Sequence, residues 1–314
     1  MKDHEVQLVE ETIKRHVSSE AAVISIESRP IGMGLQAVDL VRHNVRLQVN
    51  QEEIGISLIT KKATYIERST ISLLFSQSAN VPYSLSSHPD SLDRSLMCIQ
   101  DVDYETDYSK LDIDALQQKE MQALACIHRT NIGKEAALPW LPRVDQAHIS
   151  EMLNTRWKPS WEAAKDNQAF IEEFGAYTVS AIEETAHHIV KDIEAVIQDE
   201  RTYTLIHNDL NPGNVLVHRN EEVYFIDWEE ARYGSLFFDI PLRCSSLKLA
   251  NDYRDLLCSL GIEIPQTRYE QLFAIASRYL GIRYMSWNLS AWQHNQQAKN
   301  DLKKYIGMVI DPLF

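Results

Sequence analysis

The run His207-Asn208-Asp209-Leu210-Asn211-Pro212-Gly213-Asn214 sets a carboxylate and a carboxamide five positions apart, between the apolar stretches TLI and VLV. A second carboxylate, Asp227 in Phe225-Ile226-Asp227-Trp228-Glu229, comes thirteen residues after Asn214. The intervening VLVHRNEEVYF reads as two short strands about a polar turn, a hairpin that would return Asp227 to the neighbourhood of Asn214. Phosphoryl transfer needs such a set. One carboxylate orients the attacking hydroxyl and accepts its proton, and hard oxygen donors hold magnesium against the phosphates. Asp209 suits the first role; Asn214 and Asp227 suit the second. A neutral Asn beside a carboxylate also limits charge repulsion. Asp, Asn, Pro and Gly favour turns for their own reasons, so the weight lies on the flanking strands and the spacing rather than on the residue types alone.

The two segments HNDLNPGNVL and FIDWEEARYGSLFFDI resemble the catalytic loop and metal-binding segment of the aminoglycoside phosphotransferase and choline kinase superfamily, enzymes of protein-kinase-like fold. The resemblance implies Asp209 as the catalytic aspartate, Asn214 and Asp227 as Mg2+ ligands, and His207 as a structural member of the loop. It implies Asp239 as the residue that ties the loop to the following helix. Glu229 falls where the family often carries a second acidic residue. A nucleotide, ATP or GTP, would be the phosphate donor and a small hydroxyl-bearing molecule the acceptor.

Weaker motifs upstream agree. Ser28-Arg29-Pro30-Ile31-Gly32-Met33-Gly34 lies between two strands, where Gly32 and Gly34 would let backbone N–H groups approach phosphate oxygens. The strand GISLITKK ends in two lysines, and the family's L-x-x-K ending favours Lys61 over Lys62 as the phosphate ligand, paired with Glu67 of the next helix. Strand alternation would put Ile59 on the same face as Lys61. Leu96-Met97-Cys98-Ile99-Gln100 would be the hinge, its backbone bonding the purine edge while Met97 and Ile99 flank the ring.

The elements that must position these residues emerge from periodicity. Val6, Val9, Ile13 and Val17 predict an amphipathic opening helix. Residues 21–62 read as three antiparallel strands, 66–78 as a helix, 81–91 as a Pro- and Ser-rich loop, and 95–102 as a short strand. After residue 103 the chain is mostly helical, with one long amphipathic helix expected over 169–199 and the hairpin inside this half. The class is therefore α+β, a bilobal protein-kinase-like fold. Residues 1–102 would form a small β-rich nucleotide-binding lobe, and 103–314 a larger helical lobe with the catalytic loop and acceptor site.

A formal net charge of -14 argues against nucleic acid as a partner. No stretch reaches the length of a membrane span, and the charged start MKDHEVQLVEE lacks a signal peptide's apolar core. Cys98, Cys126, Cys244 and Cys258 form no CxxC pair and fit reduced thiols in a cytoplasmic protein. A protein kinase is disfavoured because Asp227 to Asp239 leaves no room for an activation segment, and a binding module without turnover because every catalytic position is filled. His128 reads as a satisfied buried histidine. Most tryptophans read as core, with Trp157, Trp161, Trp287 and Trp292 the places to seek an aromatic acceptor pocket. Acceptor contacts should come from 147–199 and 267–295; the sequence leaves the acceptor and the oligomeric state open.

Overall fold

The computed structural model describes residues 2–32, 40–244 and 246–313, so Gly34 lies outside the described residues. In chain order the elements are α1 (Lys2–His16), β1 (Ala22–Pro30), β2 (Val41–Val49), β3 (Glu52–Ala63), α2 (Tyr65–Ser76), β4 (Ser84–Ser86), β5 (Ser95–Gln100), α3 (Ile113–Asn131), α4 (Gln146–Met152), α5 (Lys158–Ala164), α6 (Gln168–Phe174), α7 (Ala176–Asp192) and α8 (Glu194–Ile197). Next come β6 (Tyr203–Ile206), β7 (Val215–His218), β8 (Glu222–Phe225), β9 (Arg232–Ser235), α9 (Ile240–Arg243), α10 (Leu247–Ser259), α11 (Gln266–Asn288) and α12 (Gln296–Ile310). Two compact units result, one of Met1–Ile127 with Asn211–Ala231, the other of His128–Leu210 with Arg232–Phe314.

The first unit is built on an antiparallel sheet in the order β1-β2-β3-β5-β4. Strand alternation gives it two unlike faces. Leu58 and Cys98 turn to one side, where they pack with Leu8, Val9 and Ile13 of α1 and with Val45 and Leu47. Helix α1 carries Asp3 and Glu5 in its first turn and Lys14 and Arg15 in its last, each complementing the helix dipole. A polar chain adds to this apolar seam: Ser28 Oγ lies 2.8 Å from His43 Nδ1, His43 Nε2 lies 2.9 Å from Thr60 Oγ1, and Thr60 donates to Glu5 of α1 at 2.8 Å. The opposite face carries Ile59 and Lys61, with their cross-strand partners Ile99 and Met97. The segment 81–91, expected as a plain loop, contributes β4 to this sheet, with Ser84–Ser86 opposite Met97–Ile99. Short polar strands leave no periodic apolar signal, and only their neighbour reveals them.

The β7–β8 hairpin pairs Val215 with Phe225 and His218 with Glu222, as its sequence predicts. Its Val217 and Val223 bury against Leu116 of α3.

In the second unit β6 and β9 pair antiparallel, Tyr203 opposite Ser235 and Ile206 opposite Arg232. Helix α11 runs through the interior and buries residues around its whole circumference from Tyr269 to Ser286. The single helix expected over 169–199 is broken. Gly175 adopts φ 88 and ψ 145, a conformation open almost only to glycine, and separates α6 from α7. Apolar periodicity continues across the break because both helices bury residues in one core, Phe170 on α6 and Ile182 and Ile189 on α7. A second glycine works by absence of volume. A methyl on Gly281 of α11 would lie 2.7 Å from the Tyr305 carbonyl oxygen of α12 and 2.8 Å from Val309 Cγ2.

Two substitutions test these readings. Gly175→Ala should lower the urea-unfolding free energy by about 1–3 kcal/mol through backbone strain alone, since its methyl would meet no atom within 4 Å. Gly281→Ala should cost about 1–3 kcal/mol for the opposite reason, overpacking of α11 against α12. Denaturation midpoints equal to wild type would refute each.

Candidate active site

Thr64 ends β3 and begins α2: its hydroxyl accepts the Glu67 amide at 3.1 Å. The sequence Thr64-Tyr65-Ile66-Glu67 has the form of a capping box, in which the third helical residue turns its side chain back toward the helix start. Here Glu67 turns back onto Lys61, with its carboxylate 2.5 Å from the ammonium. The cap is what lets so short a connection close. The pair falls to Lys61, and alternation sends Lys62 from the opposite face of β3.

Asp227 completes this cluster. Its Oδ1 lies 3.1 Å from Lys61 Nζ. Burial alone would lower the Lys61 pKa, but Glu67 and Asp227 outweigh it and hold the ammonium above the ordinary lysine range. Burial pushes the Glu67 carboxyl upward and Lys61 opposes the push, with the net still upward. Glu67 is almost fully buried, whereas the Asp227 side chain is 43% exposed. One carboxylate is thus a structural counter-ion and the other reaches solvent.

The backbone at Asp227 is left-handed, φ 62 and ψ 59, a region that Asp and Asn enter more readily than other non-glycine residues. Trp228 secures the turn by donating its indole N–H to the Phe225 carbonyl at 3.0 Å, and residues Trp228–Glu230 pack on α2. One pair beyond the β7–β8 ladder, the Ile226 amide bonds the Asn214 carbonyl at 3.0 Å. Asn214 therefore stands beside the residue preceding Asp227. An amide and a carboxylate are hard oxygen donors, and magnesium needs few protein ligands besides phosphate oxygens and water; the pair fits that ion. Glu229 is held by Arg94, Oε2 to Nη2 at 3.0 Å.

Met97 and Ile99 are buried on the Lys61 face. The expected backbone contact from this strand to a purine edge meets an obstacle: β5 is interior and hydrogen-bonded by β3 and β4 on its two sides. Its exit is also pinned, because Asp101 receives Arg42 at 2.7 Å and the Ser57 hydroxyl at 2.6 Å. Met97 and Ile99 therefore have side chains to offer, and little free backbone. Gly32 is exposed, has no positive φ, and would meet no atom within 4 Å as alanine, so the protein's own packing does not require glycine there.

Asp209 belongs to the second unit, and four residues of chain join it to Asn214. Asp239 organises the backbone before it: its two carboxylate oxygens accept the amides of His207 and Asn208, both at 2.8 Å. His128 lies fully buried between Asp239 (3.2 Å) and the Tyr253 hydroxyl (2.8 Å), a satisfied core histidine as expected. Asn208 is left-handed at φ 62, and its side-chain oxygen accepts Arg283 Nη1 at 3.0 Å. The Asp209 carboxylate accepts the Tyr284 hydroxyl at 2.7 Å. Sequence reasoning missed Arg283 and Tyr284, which carry no motif; the only signal was their place within 267–295.

Trp157 and Trp161 stack at 5.8 Å, and Trp292 meets Phe170 and Phe174 edge-on; Trp157, Trp161, Phe170 and Trp292 are buried core residues. Trp287 is 48% exposed.

If Glu67 is the buried counter-ion of Lys61, Lys61→Met should destabilise the protein by on the order of 3 kcal/mol, because it strands a buried carboxylate. The double variant Lys61→Met/Glu67→Met should recover part of that loss in urea titrations. A double variant less stable than the single one would contradict it.

Residues 107–255 match the model of the phosphotransferase enzyme family. No curated protein is significantly similar to this chain. Among solved structures, a spectinomycin phosphotransferase in complex with ADP and spectinomycin superposes with TM-score 0.58 at 17% identity, covering 98% of this chain and 94% of that one. The choline kinase LicA from Streptococcus pneumoniae gives 0.51 at 14% identity, covering 98% and 99%. An aminoglycoside phosphotransferase from Alicyclobacillus acidocaldarius gives 0.56 at 14% identity, covering 90% and 88%. The segments HNDLNPGN and FIDWEE both fall within the stretch that matches the phosphotransferase enzyme family model, and the fold is similar to that of these solved phosphotransferase and kinase structures.

Proposed function

We propose that this protein transfers the γ-phosphate of ATP or GTP to a hydroxyl group of a small molecule in the cytoplasm. Residues 1–102 would be the nucleotide-binding lobe, with Gly32, Gly34, Met97 and Ile99 toward the nucleotide, and 103–314 would supply the catalytic loop and acceptor site. The observation that carries the reading is the Lys61 ammonium held between Glu67 and Asp227. A lysine so compensated is fully charged and fixed at the end of β3, ready to meet α- and β-phosphate oxygens. Asn214 and Asp227 would hold Mg2+, which would supply positive charge to offset that of the phosphates. Asp209 orients the acceptor hydroxyl and takes its proton. Catalysis on this reading is placement and charge stabilisation, with no covalent intermediate on the protein. Support also comes from the family match and from relatives whose names specify spectinomycin, choline and ethanolamine.

The test is Mg2+-dependent ATP and GTP turnover over a panel of spectinomycin, choline and ethanolamine, for wild type and Asp209→Asn. Wild type should turn over at least one acceptor, and the variant should lose about 100- to 10,000-fold in kcat. Turnover retained by Asp209→Asn would remove Asp209 as the base. Lys61→Ala should chiefly raise the KM for nucleotide and lower kcat, and unaltered kinetics would remove its phosphate role.

A further inference from the structure

Consecutive residues of α11 serve consecutive residues of the catalytic loop. Arg283 donates to the Asn208 side chain at 3.0 Å and Tyr284 donates to Asp209 Oδ1 at 2.7 Å. The loop backbone is already set by Asp239, through the amides of His207 and Asn208. What the backbone bonds leave undetermined is the rotation of the Asp209 carboxylate, which side chains must set.

We propose that Tyr284 is a positioning residue for phosphoryl transfer, its phenol fixing the orientation of the Asp209 carboxylate toward the acceptor hydroxyl. The inference rests on Asp209 being the base. In that step the acceptor O–H proton passes to Asp209, the acceptor oxygen bonds the γ-phosphorus, and the bond from phosphorus to the bridging oxygen breaks to leave the nucleoside diphosphate.

Three observations support a positioning role over simple packing. Tyr284 is buried, and so are Leu280, Gly281, Ile282 and Met285 beside it on α11, so the donor is held by a helix with little freedom to shift. Burial drives the phenol well above the ordinary tyrosine range, Arg283 pulls it back and Asp209 adds to the rise, so the hydroxyl stays a donor at any physiological pH. The groups facing Asp209 include His207 in the loop, whose Nδ1 lies 3.3 Å from the Asp209 amide, and Tyr305 of α12, whose ring lies 5.8 Å from that of Tyr284. Of these two tyrosines, Tyr284 is the one whose hydroxyl bonds the carboxylate.

The experiment compares wild type, Tyr284→Phe, Tyr305→Phe and Asp209→Asn, using Mg·ATP with spectinomycin, choline and ethanolamine, and without acceptor as ATP hydrolysis. Tyr284→Phe should lower kcat by about 10- to 100-fold, as expected for a misaligned reacting group, with the KM for ATP and the thermal midpoint close to wild type. Tyr305→Phe perturbs the same packing and should leave kcat unchanged. A crystal structure of Tyr284→Phe should show the Asp209 carboxylate in more than one orientation. Unchanged kcat in Tyr284→Phe, an equal loss in Tyr305→Phe, or a single unaltered Asp209 rotamer overturns the inference while leaving the phosphotransferase reading intact. Absence of turnover in wild type, or its survival in Asp209→Asn, overturns the reading beneath it.

Discussion

A lysine ammonium taken out of water must keep anionic company, because uncompensated burial of charge costs several kcal/mol. Lys61 meets that demand with two carboxylates from different parts of the chain, Glu67 at the start of α2 and Asp227 just past β8. The Thr64 cap aims Glu67, the hairpin ladder brings the chain to Ile226, and the Trp228 indole pins the turn at Asp227. One electrostatic requirement thus joins the main sheet, its neighbouring helix and a hairpin more than 150 residues away in sequence. The two faces of the sheet divide the labour. The face under α1 supplies apolar cohesion and a buried polar chain, and the other presents Lys61, Met97 and Ile99.

The second unit solves a different problem, holding a carboxylate in a loop. Asp239 collects two loop amides, which fixes backbone without using any loop side chain. Left-handed residues at Asn208 and Asp227 mark the two points where the chain turns most sharply beside candidate chemistry. Asn and Asp tolerate that conformation at modest cost because their short side chains bond locally. Strain at such positions is a common companion of function; other left-handed residues, such as Asn50, Gln51, Arg219 and Asn220, lie in turns between strands, whereas Asn208 adjoins one candidate carboxylate and Asp227 is another.

Much of this was legible from residue order. HNDLNPGN, the hairpin and FID marked the candidate residues by type and spacing, and β-branched runs and the Val9–Ile13 stripe marked the sheet and its first helix. Asp239 and His128 also took the structural places expected of them. Other features were invisible for identifiable reasons. Strands β4 (SLS) and β9 (RYGS) carry no apolar run to announce them, and Gly175 interrupts a stripe that stays apolar on both sides. The sequence of β5 reads the same whether the strand is paired on one side or two, and only the sheet order reveals that both are taken.

Local sequence determined which side chains are candidates for chemistry and which element each sits on, because turn residues, strand alternation and helix caps act over a few positions. Tertiary structure alone decided which side chains meet. That Lys61 rather than Lys62 is the paired lysine, that Asp227 shares it with Glu67, and that Arg283 and Tyr284 reach the loop at Asn208 and Asp209 are long-range facts. They depend on how buried charge and apolar surface are satisfied together across the whole fold, and no window of neighbouring residues contains that information.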